Sequence, residues 1–289
     1  MIKIIREEEK KINNLDEKLI KVPSQLRSDV NSFITDVIGS SFIKYFQQQK
    51  DSLDQTLENY QNIFDIYNDR INQIKNKLDI KKDYSSKLFP YFLENRSFRL
   101  SNYKFKYGEV DDILKEINVI LTIDDNRQYN GFYSSEYNDI VLTGNFYIEF
   151  LNKYGFNGTH FLSRDFARDF DSVLDSFISM LDSYFNLFEH EMIHAIQYEF
   201  FGDYINLLPV KDRMDMIQYT LSDLEVNPLL ISQYREYKKL FPTINRDTFD
   251  AFIATNQYFS ILRNNNFKLY KKMVNSFLDI IENREGIFL

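Results

Sequence analysis

Residues 190–194 read His-Glu-Met-Ile-His, which places two imidazoles and one carboxylate at a spacing that suits a metal site. On an α-helix His190 and His194 share one face, with Cβ atoms roughly 5–6 Å apart. Both rings can then reach one zinc ion at bonds of about 2.0–2.1 Å. Glu191 lies about 100° further round the helix, where it can reach a metal-bound water without being a ligand. This spacing favours metal-assisted hydrolysis, with two ligands and an adjacent general base.

This geometry requires a helix, and the surrounding sequence predicts one. Apolar residues recur every three or four positions between Phe185 and Phe200, and Gly202 supplies a C-terminal stop. A chance match on an amphipathic helix is the competing interpretation. The chain has only three histidines, two of which stand at the required spacing, and this argues against chance. The third, His160, falls in a predicted loop and is not assigned to the metal.

Composition limits the classes of function. With 289 residues, 44% of them hydrophobic, the chain can form a sizeable core. A net charge of −8 leaves no surplus of Lys and Arg for phosphates, so nucleic acid is not an expected partner. The absence of cysteine excludes disulfides and thiolate zinc sites.

Location and origin are also suggested by the sequence. The charged N-terminal residues do not read as a signal peptide, and no apolar stretch reaches membrane-spanning length, which predicts a cytoplasmic protein without a membrane partner. The many Asn, Ile, Lys, Tyr and Phe residues are typical of an AT-rich genome, as in a low-GC bacterium or its phage. A phage origin would make association with the virion an additional expectation.

Residues 1–83 are predicted to form a helical module. Its most regular segment, residues 53–78, carries apolar residues at alternating steps of four and three, a heptad pattern typical of coiled-coil packing. The partner of this segment stays open between a helix of the same chain and a second chain. The module itself has three interpretations: a brace for the domain, a docking or self-association arm, or a cover over an active site.

Residues 84–289 are predicted to form a second module that holds the H-E-x-x-H segment. Residues 82–102 read as irregular, and three strand-like segments follow at 117–123, 131–135 and 138–143. We expect these strands to form a small meander and the last to edge a cleft, where it would bind an extended peptide. Helices are predicted for most of the remainder, including residues 246–263 and 266–283. The helix predicted over residues 163–185 either runs into the H-E-x-x-H helix or breaks near Asp182 and Ser183. The expected fold class is therefore α+β, predominantly helical.

The order of strands, H-E-x-x-H helix and downstream acidic segment resembles the zincin metallopeptidases. It is most similar to the gluzincins, in which a glutamate on a later helix is the third zinc ligand. No histidine follows His194, so the metzincin extension is absent. Residues 224–227, Leu-Glu-Val-Asn, resemble the Leu-Glu-x-Asn segment of small bacterial and phage zincin-like proteins. The resemblance covers roughly residues 117–240 and implies that Glu225 is the third ligand.

The sequence also allows structural roles for Glu225 that involve no metal. Ser222 stands three residues before it, and the pair matches a capping box in which the Glu225 carboxylate would bond to the Ser222 backbone amide. Pro228 would kink a helix that begins at Ser222, or would instead open a helix capped by Asn227. These alternatives stay open at the level of sequence.

Four further side chains remain candidates for the site. Asp223 and Glu199 are lesser candidates for the third ligand. Zinc peptidases often use a Tyr or a His to stabilise the oxyanion. Tyr219 and Tyr234 are close enough to Glu225 in sequence to serve, but the chain has 20 tyrosines and the sequence singles out neither.

The resemblance implies a zinc-dependent peptidase, a hydrolase with a peptide or protein substrate. Zn²⁺ would be held by His190, His194 and Glu225, with Glu191 as general base toward the attacking water. The alternative is a structural or interaction protein, such as a phage assembly component, on a zincin-like scaffold whose metal site is idle or structural.

Overall fold

The computed structural model describes residues 22–51, 53, 55–56, 58–82, 96–99, 116–122, 130–154, 164–201, 216–221 and 225–286. Helices and a small mixed sheet make up these residues, so the predicted class, α+β and predominantly helical, is confirmed. The helices are α1 Ser24–Asp51, α2 Tyr60–Leu78, α3 Asn145–Lys153, α4 Arg164–Phe201, α5 Met216–Leu221, α6 Val226–Leu240, α7 Arg246–Thr255, α8 Gln257–Asn265 and α9 Phe267–Glu285. The strands are β1 Arg96–Arg99, β2 Asn118–Thr122, β3 Gly131–Ser134 and β4 Asp139–Thr143. None of the helices described here has the length and apolar character that crossing a bilayer requires.

The described residues belong to two compact units. Pro23–Phe188 form the first, and the second contains the described residues from Glu189 onward. The division falls inside helix α4, so the H-E-x-x-H segment lies in the second unit while the preceding turns of the same helix lie in the first. The boundary predicted near residue 84 does not coincide with this division.

Aromatic packing joins helix α1 to two later helices of the first unit. The ring of Phe42 on α1 stacks on the ring of Phe177 on α4, with centroids 4.2 Å apart and planes 11° apart. The same ring meets Phe150 of α3 edge-on at 5.5 Å. Helix α1 thus supplies side chains to the core of the first unit, which also contains the sheet.

Helix α2 packs against α1, so the heptad pattern finds a partner within the chain. The two helices approach closely at Gly39, where an added Cβ would lie 3.2 Å from Leu78 Cδ1. Near the C-terminal end of α1, Lys50 donates a hydrogen bond of 3.2 Å to Oδ1 of Asn68, in the middle of α2. The helix begins at Tyr60 rather than near residue 53, because the chain turns there to bring α2 back along α1.

Replacement of Phe42 by Ala is expected to destabilise the first unit by about 3–5 kcal/mol, because it removes a fully buried ring and leaves a cavity between three helices. Urea denaturation followed by circular dichroism measures this. Ile66→Ala, on the exposed side of α2, is the control and should change stability by about 0.5 kcal/mol or less. Equal effects of the two substitutions would contradict the shared core, as would unchanged folding after deletion of residues 1–83.

The three predicted strands are present, but the predicted meander is wrong. The sheet has the order β1-β2-β4-β3, and β2 pairs with β4 in parallel, whereas a meander pairs only antiparallel neighbours. The parallel register places buried residues side by side, with Val119 opposite Ile140 and Leu121 opposite Leu142. Strand β1 lies in the segment predicted to be irregular.

Strand β4 cannot take the role expected of residues 138–143. It pairs with β2 on one side and with β3 on the other, so its backbone hydrogen-bonding groups are already used. An extended peptide needs an edge whose backbone groups are accessible. The expectation that this strand edges a substrate cleft is therefore wrong.

Two helix boundaries were open or differently placed in the sequence. Helix α4 runs through Asp182 and Ser183, where a break was one of two options, and its only non-helical backbone angles are at Asp169. The helix predicted over residues 246–263 is divided at Asn256. This residue is extended, and its side chain accepts a hydrogen bond from the Phe259 amide, which starts α8.

Candidate metal centre

Helix α4 holds the H-E-x-x-H segment as predicted, and burial of one face orients it. Met192, Ile193 and Ile196 are buried in the core. The side chains of His190 and His194 are 12% and 18% exposed, so both imidazoles lie near the surface but are mostly covered. The two rings are 4.8 Å apart between centroids, and their Nε2 atoms are 3.2 Å apart.

A neighbouring amide favours one tautomer of the neutral His194 ring. Its Nδ1 lies 3.1 Å from Oε1 of Gln197, which is three residues further along the same helix and buried. Because a carboxamide oxygen only accepts hydrogen bonds, Nδ1 carries the proton of the neutral ring. Nε2 therefore presents its lone pair toward His190 and Glu225. Histidine ligands of metals are commonly oriented by a second hydrogen bond of this kind.

Glu225 brings its carboxylate to the two imidazoles from the start of helix α6. Its Oε2 lies 3.5 Å from His190 Nε2 and 3.7 Å from His194 Nε2. This oxygen is buried and has no hydrogen-bond partner among the described residues. A buried acceptor left without a partner costs about 1–3 kcal/mol, and more when the group is charged. A cation bound at this oxygen would offset that cost.

The spacing of the three atoms fits a zinc ion. Four ligands at about 2.0–2.1 Å in a tetrahedron lie about 3.3–3.4 Å from one another. The observed separations of 3.2, 3.5 and 3.7 Å bracket that value. Two imidazoles and one carboxylate also form a donor set that zinc accepts in catalytic sites. Within the described part of the chain, the cluster contains three potential ligands, His190, His194 and Glu225.

The backbone at Glu225 bears on its alternative roles. Helix α6 begins at Val226, so Glu225 is the residue that precedes the helix, and its side chain makes no capping hydrogen bond. A capping box would place Glu225 at the third helical position instead. Pro228 lies in the first turn of α6, where a missing N–H is tolerated, and does not open the helix as suggested.

The other residues considered for the site add little to it. His160 and Asp223 lie outside the described residues, as do the side chains of Glu199 and Tyr219. Tyr234 is buried and donates a hydrogen bond to the Glu285 carboxylate. No oxyanion-stabilising residue is assigned.

An ion pair secures the H-E-x-x-H segment to the C-terminal helix. Glu189, one residue before the first histidine, accepts a hydrogen bond from Arg284 of α9 at 2.8 Å. The Glu189 side chain is only 4% exposed, against 21% for Arg284. The Arg284 guanidinium also lies over the ring of Tyr234, 4.8 Å from its centroid. This pair restricts the motif from turning about the helix axis.

Replacement of Arg284 by Gln is expected to destabilise the protein by about 3 kcal/mol, because it removes the positive charge that lies 2.8 Å from a buried carboxylate. Chemical denaturation of the full chain measures the change. Arg246→Gln is the matched control, since Arg246 and Asp250 form an ion pair in which both side chains are 58% exposed. Its loss should cost at most about 0.5 kcal/mol. Similar losses in the two variants would contradict a special role for the buried pair.

The sequence could have revealed one of these supporting residues but not the other. Gln197 follows His194 by three positions, a spacing that places both on one helix face. Arg284 stands 95 residues from Glu189, and only the packing of α9 in the second unit brings the two together.

Comparison with protein-family models, with curated proteins and with solved structures found no match to this chain. The functional assignment consequently rests on the residues and their geometry.

Proposed function

We propose that the chain is a zinc-dependent peptidase, with His190, His194 and Glu225 as metal ligands and Glu191 as general base. One observation carries this proposal. Three ligand atoms from two separate helical elements converge at 3.2–3.7 Å, and one of them is a buried carboxylate oxygen without a hydrogen bond. The large majority of buried side-chain oxygens in proteins have a hydrogen-bond partner, so this carboxylate oxygen between two imidazoles supports a metal ligand.

The chemistry divides between the metal and the chain. When bound, zinc would lower the pKa of a water molecule to about 7 and so supply a nucleophile near neutral pH. Glu191 is buried and follows the first histidine directly. Its carboxylate takes a proton from the attacking water and delivers it to the nitrogen of the departing amine. The amide bond breaks, and the products are a carboxylate and an amine.

The order of elements supports a zincin-like scaffold for this site. A small mixed sheet precedes the H-E-x-x-H helix along the chain, and a helix that begins beside the glutamate follows it. The gluzincin resemblance implies this order and this glutamate. Three protein ligands, rather than four, are typical of catalytic zinc sites, which keep a position for water or substrate.

Hydrolysis tests the proposal most directly. The full chain, freed of metal and reloaded with one equivalent of zinc, is incubated with a library of fluorescence-quenched peptides. Cleavage that appears with zinc and disappears with a chelator is the expected result. Zinc bound without cleavage of any library member would instead favour the alternative, an interaction protein with a structural metal.

A further inference from the structure

The position of Glu225 depends on contacts from outside its own helix. Glu225 precedes α6 and makes no capping hydrogen bond with its side chain, so the capping interaction that usually fixes a helix start is absent. Its carbonyl oxygen accepts the first helical hydrogen bond, from the Leu229 amide at 2.8 Å. That bond orients the peptide group that follows Glu225 but does not fix this end of α6 against the rest of the unit.

A tyrosine of helix α8 makes a contact that holds the start of α6 from outside that helix. The Tyr258 hydroxyl donates a hydrogen bond of 2.9 Å to the carbonyl oxygen of Val226, the residue directly after Glu225. Tyr258 and Val226 are both buried, so water does not compete for this bond. Burial also raises the pKa of Tyr258 well above its ordinary value, which keeps the phenol protonated and able to donate.

The start of α8 is itself attached to α6. Asn256 caps α8 and donates hydrogen bonds to the side chains of Gln233 at 2.9 Å and Glu236 at 3.1 Å, both on α6. Tyr258 extends from this anchored turn to the first residue of α6. The two contacts hold α8 along α6 at two places, one in the middle of the helix and one beside the glutamate.

We propose that Tyr258 is a positioning residue of the metal centre, which holds the backbone beside Glu225 so that its carboxylate stays at ligand distance from His190 and His194. The inference rests on the proposed metal site and adds to it a residue that touches neither metal nor substrate. Without the Tyr258 hydrogen bond, the start of α6 can shift. Part of the free energy of zinc binding is then used to restore the ligand spacing, and the affinity for zinc falls.

The chain contains a matched control for this role. Tyr237 is also fully buried in the second unit, and its hydroxyl also makes one hydrogen bond, to the side chain of Thr248 at 2.8 Å. That bond joins α6 to α7 far along the helix from Glu225. Tyr258→Phe and Tyr237→Phe therefore each remove one phenol oxygen and its hydrogen bond, but only the first lies beside a ligand.

Zinc affinity measured by competition with a chromophoric chelator separates the two roles. We expect Tyr258→Phe to raise the zinc Kd at least about tenfold, as losses of ligand-supporting contacts commonly do. Tyr237→Phe should leave Kd within about twofold of the parent, because it disturbs no ligand. The thermal midpoints of the two metal-free variants should fall by similar amounts. With cobalt(II) in place of zinc, the visible absorption bands should change for Tyr258→Phe alone.

The outcomes distinguish this inference from the proposed function. A parent-like Kd in Tyr258→Phe, or equal rises in both variants, would overturn the positioning role while leaving the metal site intact. A parent chain that binds no zinc would overturn the metal site and the inference together. A selective rise in Kd for Tyr258→Phe would establish the positioning role even if no peptide substrate is found.

Discussion

Replacement of Glu191 by Gln is expected to abolish peptide hydrolysis while the zinc content stays near one ion per chain. The amide has nearly the shape of the carboxylate but cannot take a proton from the attacking water. Loss of a general base typically lowers the rate by about 10²–10⁴-fold. Because Glu191 is one position out of register with the two histidines, its substitution should leave the ligand spacing of 3.2–3.7 Å unchanged.

The measurement pairs kcat on a cleaved peptide with metal content by mass spectrometry. Glu149→Gln is the control, since Glu149 is exposed on α3 in the first unit. It makes the same chemical change away from the site and should leave both quantities unchanged. Parent-like hydrolysis by Glu191→Gln would remove Glu191 from the mechanism. Loss of zinc together with activity would instead show that Glu191 supports the metal.

The second large effect concerns the metal itself. Each of His190→Ala, His194→Ala and Glu225→Ala is expected to reduce bound zinc from about one ion per chain to almost none at micromolar concentrations. Each substitution removes one of three protein ligands, and two ligands rarely hold zinc against water and buffer. Metal content is measured by mass spectrometry after zinc has been offered and the excess removed by gel filtration.

The third histidine supplies the control for these variants. His160→Ala makes the same change at the one histidine outside the motif and should leave the zinc content unchanged. Thermal melting gives a second readout, because a ligand that binds the folded state alone raises its stability by about 2.7 kcal/mol at 100 times its Kd. Zinc should therefore raise the melting temperature of the parent and of His160→Ala but not that of the three ligand variants. Full zinc occupancy in Glu225→Ala would mean that another group is the third ligand.

Much of the H-E-x-x-H half of the site could be predicted from sequence because it is local. His190, Glu191 and His194 span just over one turn of a helix, and helix geometry alone fixes their relative positions. The apolar stripe of the same segment fixes which face is buried. The helix expected around the motif is present for this reason, and so is the proximity of the two imidazoles.

The role of Glu225 could not be decided from the local sequence. The resemblance selected it, but a capping box remained an alternative description of the same residues. Only the fold of the second unit brings its carboxylate to the two imidazoles, and it does so with Glu225 just before the helix rather than within it. The parallel pairing of β2 with β4 also could not be predicted from the local sequence. Strand register depends on which buried faces meet, and neighbours in sequence need not be neighbours in the sheet.

The chemical groups available to this protein follow from its sequence alone: two imidazoles and a carboxylate on one helix, no thiols, a negative net charge and a largely helical chain. The tertiary structure decided which distant groups complete and support that chemistry. The roles of Arg284 and Tyr258 could not be predicted from sequence, because an arginine or a tyrosine on an amphipathic helix can have many different contacts. They acquire a role when packing excludes water around Glu189 and Val226, since a buried polar group then needs a partner that only a neighbouring helix can supply.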